Sequence, residues 1–238
     1  MSLQAQQIVA LATQIAGVPG FTSQAGQLLN MILSDLCQTY DFDVAKKITT
    51  ITLATVSTNY GSGPYILPAD YLRACDKRSV FFTYNGVKYE LTPIDLAEYD
   101  LLVQQQGNQS FPSSFATDMS QSPPQLFVWP PPSGSYPLTI RYFSQMPDIA
   151  TPETSTAVPW FPSQDYLVTR LAGELMKIAD DERADRFLGS GDSGAQGILT
   201  RYLKLKDDSS NRAQTVQLDR RFFGGQFSRV PNTKTLGF

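Results

Sequence analysis

Four carboxylates near the middle of the chain could in principle catalyse glycoside hydrolysis. That reaction needs one carboxyl group as general acid and a second as nucleophile or base, and it requires no histidine. The candidates are Glu90, Asp95, Glu98 and Asp100. The segment 92–95, Thr-Pro-Ile-Asp, is however typical of a helix start, with threonine as N-cap, proline at the first helical position and Asp95 as the capping acid. The pattern therefore favours a structural role, and we assign no catalytic residue.

A second group of acids, in the C-terminal half, could be imagined as a metal site. It comprises Asp180, Asp181, Glu182 and Asp185. Adjacent residues on a helix point in different directions, and arginines interleave with these acids, so the group is typical of a solvated helix face. The sequence therefore predicts no metal site here.

A glycine-rich segment at 189–194, Gly-Ser-Gly-Asp-Ser-Gly, has the spacing of a dinucleotide-binding loop and also resembles a serine-protease nucleophile loop. A dinucleotide-binding loop follows a strand and opens a helix, whereas this segment follows a predicted helix. The protease chemistry needs a histidine, and the chain has none. We interpret the segment as a linker between two helices.

The absence of histidine and the small number of cysteines exclude several classes of site. Ser-His and Cys-His catalysis and His-ligated zinc or iron all require an imidazole. Cys37 and Cys75 are the two cysteines, and neither belongs to a C-x-x-C pair, so a disulfide framework or structural zinc site is not expected. We predict two buried thiols, no cofactor and no metal.

Aromatic residues are frequent in the middle of the chain and could form a platform on which nucleic-acid bases stack. Basic residues do not alternate with them, so packing in a core and at subunit interfaces is the favoured interpretation. The residues concerned are Tyr65, Tyr71, Phe81, Phe82, Tyr84, Tyr89, Phe111, Phe115 and Trp129.

Apolar residues at helical spacing predict four helices, two at each end of the chain, and a further helix in the middle that opens at 92–95, buries Leu96, Tyr99, Leu102 and Val103, and ends at Gly107. The first two span about 3–16 and 22–40, with Thr22 or Ser23 as the cap of the second, and should pack as a hairpin. The later two span about 163–187 and 195–206.

Between these helices the pattern changes to that of β-strands. Strands are predicted from residue 46, at 80–84 and 87–91, and at about 125–129 and 136–143. Asn85-Gly86 is typical of a two-residue type I′ turn. The stretches at 65–73 and 125–132 each contain a short strand stopped by proline, and we predict both as edges of the β-rich region.

These elements predict an α+β fold: a helical bundle built from N-terminal and C-terminal helices, with an inserted antiparallel β-rich domain and an extended C-terminal arm. The predicted domains are an N-terminal helical hairpin at 1–43, the β-rich domain at 44–150, C-terminal helices at 151–206 and the arm at 207–238.

The arm has no periodicity that would let it bury its aromatic residues alone, so we expect it to order only when it docks on a partner. Residues 183–238 carry a formal net charge of +5, and residues 1–182 carry −8. Phenylalanines among the arginines favour a protein partner over DNA. The candidate portal- or neighbour-binding residues are Arg220, Arg221, Phe222, Phe223, Phe227 and Phe238.

The N-terminal residues lack the basic and apolar regions of a signal peptide, and no run approaches the ~18 apolar residues of a membrane span. We therefore expect a protein kept in a cytoplasm or built into a particle, with no membrane partner.

A series of short motifs between residues 64 and 149 resembles the head-to-tail adaptor, or connector, proteins of tailed bacteriophages. The motifs are Leu-Pro-Ala-Asp-Tyr-Leu-Arg at 67–73, the aromatic hairpin at 80–89, Leu-Thr-Pro-Ile at 91–94, Gly-Asn-Gln-Ser-Phe-Pro at 107–112, Phe-Ala-Thr-Asp at 115–118, Val-Trp-Pro-Pro-Pro at 128–132, Ile-Arg-Tyr at 140–142 and Met-Pro-Asp-Ile at 146–149. The helices outside this span match in type only.

The resemblance implies a structural virion protein that forms a homo-oligomeric ring, typically a dodecamer, beneath the portal and above the tail. Its implied partners are further copies of itself, the portal protein, a tail nozzle or tail tube protein, and double-stranded DNA that passes through the channel without sequence-specific binding. The implied location is the head-tail junction, with host cytoplasm as the site of assembly. In such a ring the helices at 1–40 and 163–206 would build the wall, and the arm would reach the portal.

Two other functions remain open on the sequence alone. A tail or baseplate component could bind a partner protein or a host glycan through the aromatic β-domain. A carboxylate-dependent hydrolase would lose its activity when Glu90 or Glu98 is substituted. The resemblance favours the adaptor, which implies a role in genome ejection and no enzymatic activity.

Overall fold

The computed structural model describes residues 2–54, 62–76, 78–104 and 109–205. By their contacts these residues form two units. One, the helical unit, comprises residues 2–32 and 149–205, and the other, the β-rich unit, comprises residues 33–148. The chain combines helices with two sheets, so the predicted α+β class is confirmed. The arm at 207–238 lies outside the described residues.

The helical unit is built around the contact between α1 (Ala5–Ala16) and α4 (Gln164–Ile178). Each helix buries one apolar face, as the 3.6-residue spacing predicts. α1 begins with a capping box of Gln4 and Gln7 and ends at Gly17, whose φ of 74° is the left-handed conformation favoured at helix ends. The buried residues of these two faces include Ile8, Val9, Ala12, Leu167, Leu171 and Leu175.

α2 (Thr22–Thr39) starts at the residue that the sequence suggested as its cap. A cap residue stands just before its helix, whereas Thr22 and Ser23 both lie inside α2. The carbonyl of Phe21 accepts the first helical hydrogen bond, from the N–H of Ala25 at 2.8 Å. The predicted cap is therefore wrong by at least one residue. The division between the two units falls within this helix, after Ile32.

The long helix predicted over 163–187 is interrupted. α4 ends at Ile178, Asp180 takes a positive φ of 58°, and α5 (Ala184–Leu188) follows as a separate short helix. α5 packs so closely on α4 that a Cβ on Gly173 would lie 2.7 Å from a methyl carbon of Leu188. The break falls in the polar run Asp-Asp-Glu-Arg at 180–183, where no apolar residue continues the spacing of α4. A last helix, α6, covers 195–205, close to its predicted range.

A pair of hydrogen bonds marks the point where the chain returns to the helical unit. The side-chain amide of Asn30 donates to the Ile149 carbonyl at 3.0 Å, and the Ile149 N–H donates to Asn30 Oδ1, also at 3.0 Å. The two ends of the long excursion through residues 33–148 are thereby tied together.

Nine strands are formed by the described residues of the β-rich unit, together with α3 (Leu96–Gln104) and a short 3-10 helix at Asp43–Ala45. The strands are β1 (Lys46–Leu53), β2 (Ser62–Ile66), β3 (Tyr71–Ala74), β4 (Val80–Tyr84), β5 (Val87–Glu90), β6 (Thr92–Pro93), β7 (Ser114–Asp118), β8 (Gln125–Trp129) and β9 (Tyr136–Ser144).

These strands form two sheets that pack against each other. The first sheet is antiparallel, with the order β1-β9-β4-β5 and β3 paired to the end of β9. The second has the order β2-β8-β7-β6, with a parallel pair at β6 and β7. Their inner faces share one core, which includes Phe82 and Leu138 from the first sheet and Leu126 and Val128 from the second.

α3 covers the other face of the second sheet. Side chains alternate along a strand, so Phe127 points away from the core that holds its neighbours on β8. The ring of Tyr99 on α3 lies 5.3 Å from the ring of Phe127. The unit therefore has three layers, in the order first sheet, second sheet, α3.

The β4-β5 hairpin agrees with its prediction. Tyr84 pairs with Val87 across the turn, and Asn85 and Gly86 have φ angles of 50° and 78°. Positive φ at both turn residues is the type I′ conformation, so the prediction from Asn-Gly is confirmed.

The predicted helix start at 92–95 is wrong. Thr92 and Pro93 form strand β6, and α3 begins only at Leu96. The N–H groups of Thr92 and Ile94 donate to the carbonyls of Ser113 and Phe115, at 2.8 Å and 2.9 Å. Pairing with β7, a strand distant in sequence, thus overrides the local capping pattern. No local motif could predict that pairing.

One of the two proline-stopped strands is not an edge. β2 is an edge of the second sheet, as predicted, but β8 pairs with β2 on one side and with β7 on the other. The prolines after Trp129 therefore end an interior strand.

Candidate functional site

The predicted portal- or neighbour-binding residues all lie in the arm and are outside the described residues. Their role stays a prediction. They are Arg220, Arg221, Phe222, Phe223, Phe227 and Phe238.

The structure does not bring the four candidate carboxylates together. Glu90 lies on the outer face of the first sheet, where it accepts hydrogen bonds from Lys88 at 2.7 Å and pairs with Arg78 at 3.4 Å. Glu98 and Asp100 lie on α3, beyond the second sheet. Because the two sheets separate Glu90 from α3, a glycosidase-like pair between them is excluded.

The acidic group at 180–185 occupies the turn between α4 and α5, so the predicted helix face is wrong for most of it. Asp181 accepts hydrogen bonds from the backbone N–H of Arg183 at 2.9 Å and from its guanidinium at 2.6 Å, and these bonds lower the pKa of Asp181 to about 2. Within the described ranges no three His, Cys, Asp or Glu residues are arranged to hold a metal ion.

The glycine-rich segment at 189–194 connects α5 to α6, in agreement with its interpretation as a connection between helices. A Cβ on Gly194 would collide with the carbonyl of Gly189, and one on Gly197 with that of Gly191. The glycines therefore allow a close approach of backbone to backbone rather than the binding of a phosphate.

The cysteines differ in their surroundings. Cys37 is buried, as predicted, and its thiol donates to the carbonyl of Ser144 at 3.2 Å. Cys75 is only partly buried, so the prediction for it is wrong in degree. Its position directly after strand β3 leaves part of the side chain exposed.

The Leu-Pro-Ala-Asp-Tyr-Leu-Arg motif has a structural role in the β-rich unit. Leu67 and Tyr71 are buried in its core. Asp70 accepts hydrogen bonds from Lys47 of β1 at 2.6 Å and from the hydroxyl of Tyr142 of β9 at 3.0 Å. One carboxylate therefore connects two neighbouring strands.

The charge of Asp70 is favoured in the folded protein. Burial raises its pKa, but the hydrogen bonds from Lys47 and Tyr142 outweigh that effect and hold the pKa below the usual value. Conversely, burial and the bond to Asp70 raise the pKa of Tyr142 to about 12. Asp70 is thus ionised over the physiological range and accepts both bonds.

We expect Asp70→Asn to destabilise the protein at neutral pH and to have less effect in acid. A carboxyl group whose folded pKa is lowered stabilises the fold above its unfolded pKa, and that stabilisation is lost as the pH falls through the folded pKa. Urea unfolding between about pH 7 and pH 3 measures the difference between wild type and variant. The difference should shrink towards acid, and a constant difference between Asp70→Asn and wild type would contradict the prediction.

Arg73 of the same motif binds the end of α2. Its guanidinium donates to the carboxylate of Asp41 at 2.7 Å and to the carbonyl of Gln38 at 3.1 Å. The guanidinium carbon lies 5.3 Å from the centre of the Phe143 ring. A cation at a helix C-terminus is favoured by the helix dipole and satisfies carbonyls that the helix leaves unpaired.

Arg73→Lys is expected to lower the free energy of unfolding by about 1–2 kcal/mol although it keeps the charge. An ammonium group cannot reproduce the planar fork of hydrogen bonds that the guanidinium donates, or the stacking of the guanidinium on a ring. Chemical denaturation of both proteins measures the loss. Arg78→Lys, at an exposed ion pair, is the matched control and should change stability by less than about 0.5 kcal/mol. Equal effects at the two positions would refute the role assigned to Arg73.

The aromatic residues of the β-rich unit pack mainly on one another, as predicted. Phe82 is fully buried, with the rings of Tyr89 and Tyr136 stacked on it at 5.2 Å and 4.9 Å. Phe111 and Tyr84 complete the cluster at its outer end, where 37% and 42% of their surfaces are exposed. Since most rings are committed to one another, the cluster contributes to the core and does not form an open stacking platform.

Sequence reasoning missed a basic surface on the outer face of the first sheet, which we call the basic face. Its centre is the half-buried ring of Phe81, with Lys88 Nζ at 4.3 Å and the guanidinium carbon of Arg141 at 5.2 Å from the ring centre. Ile48, opposite Arg141 on β1, is 68% exposed. The pairing register could have revealed this surface, but register cannot be read from a single sequence.

The second missed surface is the exposed side of α3, which we call the acidic face. Leu101 is 61% exposed, and Ala97 is exposed one turn before it. Glu98 and Asp100 flank this apolar pair, and neither forms an ion pair with any described residue. The residues from Asp95 to Gln104 include no basic side chain.

The helical unit contains a pocket of about 560 Å³, bordered by Ser2 and residues 158–165. Among the described residues that line this pocket, Asp165 alone is titratable. One exposed carboxylate without an acid, base or nucleophile beside it does not suggest a reaction.

Among the described helices, none has both the length and the apolar composition needed to cross a bilayer.

Comparisons with known proteins bear on the identity of the chain. No curated protein matched the chain. The family model described as SU10 adaptor protein matches residues 4–221, which include Arg220 and Arg221 and end before Phe222.

This match spans both units and nearly the whole chain. It confirms the resemblance carried by the motifs between residues 64 and 149, and it extends that resemblance to the helices on either side. The chain belongs to the SU10 adaptor protein family and is a structural adaptor protein of a phage.

Proposed function

We propose that the protein forms a ring, typically of twelve copies, that joins the portal to the tail and contributes to the channel through which DNA leaves the head. The observation that carries this proposal is the adaptor family match over residues 4–221. In this arrangement the arm reaches the portal, and a tail nozzle or tail tube protein binds the opposite side.

The charge distribution supports a passage for DNA. Residues 1–182 carry a formal net charge of −8. An acidic wall repels the phosphate backbone, so it would not hold DNA tightly during ejection. The role is mechanical rather than enzymatic, in keeping with the separation of Glu90 from the carboxylates of α3.

Negative-stain electron microscopy of the purified protein mixed with its portal protein tests the proposal. We expect closed rings seated on the portal. If the protein instead forms a trimer that binds cell-surface sugar and leaves the portal bare, the head-to-tail role is wrong and the tail or baseplate alternative is supported.

A further inference from the structure

We propose that the basic face of one copy binds the acidic face of the next copy and forms a neighbour contact of the ring. The inference deepens the proposed function and rests on it, since it names the surfaces by which the copies associate. It places a neighbour contact on the β-rich unit, in addition to any contact made by the helices at 1–40 and 163–206.

The two faces are complementary in charge. Arg78, Lys88 and Arg141 supply three cations to the basic face, where Glu90 pairs with Arg78 and Lys88, and Asp76 accepts a hydrogen bond from the Arg78 backbone. Of these, Arg141 forms no ion pair within the described ranges, and the same holds for Glu98 and Asp100 on the acidic face. Each face therefore keeps charges that a partner of opposite sign can neutralise.

The two faces also match in their apolar residues. Ile48 on the basic face and Leu101 on the acidic face are 68% and 61% exposed. In each case the apolar side chain has charged residues beside it, as at protein interfaces where an apolar centre is surrounded by a polar rim. Burying Ile48 and Leu101 against each other would remove both from water, and the charges around them would fix the register.

The layer order of the β-rich unit determines what kind of assembly results. The basic face lies outside the first sheet, and α3 lies outside the second, so the two surfaces are on opposite sides of the unit. When the basic face of one copy binds the acidic face of another, the pair still has one unused basic face and one unused acidic face. Such heterologous contacts add copies head to tail and close into a ring when the rotation per copy allows it.

Two charge-reversal variants of the full chain test the contact. The first carries Lys88→Glu with Arg141→Glu, and the second carries Glu98→Lys with Asp100→Lys. Each places like charges opposite each other, so we expect self-association to weaken by at least about 100-fold. Sedimentation velocity of the protein alone and electron microscopy with portal measure assembly, and circular dichroism checks that each variant is folded.

Mixing the two variants in equal amounts provides the decisive measurement. The reversed acidic face of one variant then meets the reversed basic face of the other, and the two unaltered faces also meet. We therefore expect the mixture to assemble into rings in which the variants alternate. A charge-matched control, Asp148→Lys with Glu153→Lys, changes acids outside both faces and outside the helices at 1–40 and 163–206, and should assemble like wild type.

The outcomes separate this inference from the proposed function. If the wild type forms rings and both variants do so equally well, or if mixing fails to restore assembly, the contact is wrong while the ring stands. If the wild type forms no ring alone or on portal, the proposed function fails and the inference fails with it. A basic-face variant that assembles normally but binds duplex DNA less well would overturn the contact and assign that face to DNA.

Discussion

Phe82→Ala is expected to destabilise the β-rich unit by about 3–5 kcal/mol, which is the usual cost of replacing a buried phenylalanine by alanine. The side chain is fully buried, and the rings of Tyr89 and Tyr136 stack on it from neighbouring strands of the first sheet. Its removal leaves a cavity and also loses the favourable ring-ring contacts. A loss of this size is a large fraction of the stability of an ordinary domain.

The two tryptophans make the measurement specific to one unit. Trp129 lies in the β-rich unit and Trp160 in the helical unit. In a Trp160→Phe background, denaturant unfolding followed by fluorescence therefore reports the β-rich unit alone. Phe81→Ala, the adjacent residue on the opposite face of β4, is the matched control, with an expected loss of about 1 kcal/mol. Similar losses at the two positions would contradict the central role of Phe82.

Deletion of residues 207–238 is expected to weaken attachment to the portal by at least about 100-fold and to leave the fold intact. A few large aromatic residues commonly provide most of the binding energy at an interface, at about 2 kcal/mol or more each, and about 1.4 kcal/mol corresponds to a factor of ten in affinity. Cosedimentation of the protein with purified portal measures the change. Normal attachment of the truncated protein would show that the arm does not bind the portal.

Point variants within the arm separate the contribution of its aromatic residues to portal binding from that of its length. Changing Phe222, Phe223 and Phe227 together to alanine should reproduce most of the loss caused by the deletion. A matched triple alanine variant at Gln214, Gln217 and Asn232 keeps these rings and should bind portal nearly as well as the full chain. If both triple variants bind equally, the phenylalanines are not the anchors.

The parts of the fold that the sequence predicted correctly depend on local physics. The hairpin at Asn85-Gly86 follows from two residues that readily take positive φ, and α1 follows from apolar spacing ended by Gly17. The parts that it predicted wrongly depend on contacts between distant residues. Thr92 forms a strand because Ser113 offers it a partner, and Leu188 packs back on Gly173 after the chain turns at Asp180.

In the candidate site, too, the sequence predicted local features but not contacts between distant residues. The motifs between residues 64 and 149 identified the family, and the structure gives Asp70 and Arg73 within them a role in holding strands and a helix end together. The basic and acidic faces went unnoticed, because their members come from separate strands or depend on which side of α3 is covered. Ile48 and Arg141 become neighbours only through the pairing of β1 with β9.

The hydrogen bonds between Asn30 and Ile149 join segments that the ribosome makes at very different times. At a synthesis rate of about 5–20 residues per second, α1 waits on the order of ten seconds before α4, its packing partner, is made. All residues of the β-rich unit precede α4 in the chain. Nascent chains should therefore gain protease resistance first at 33–148 and only afterwards in α1, although α1 is translated first.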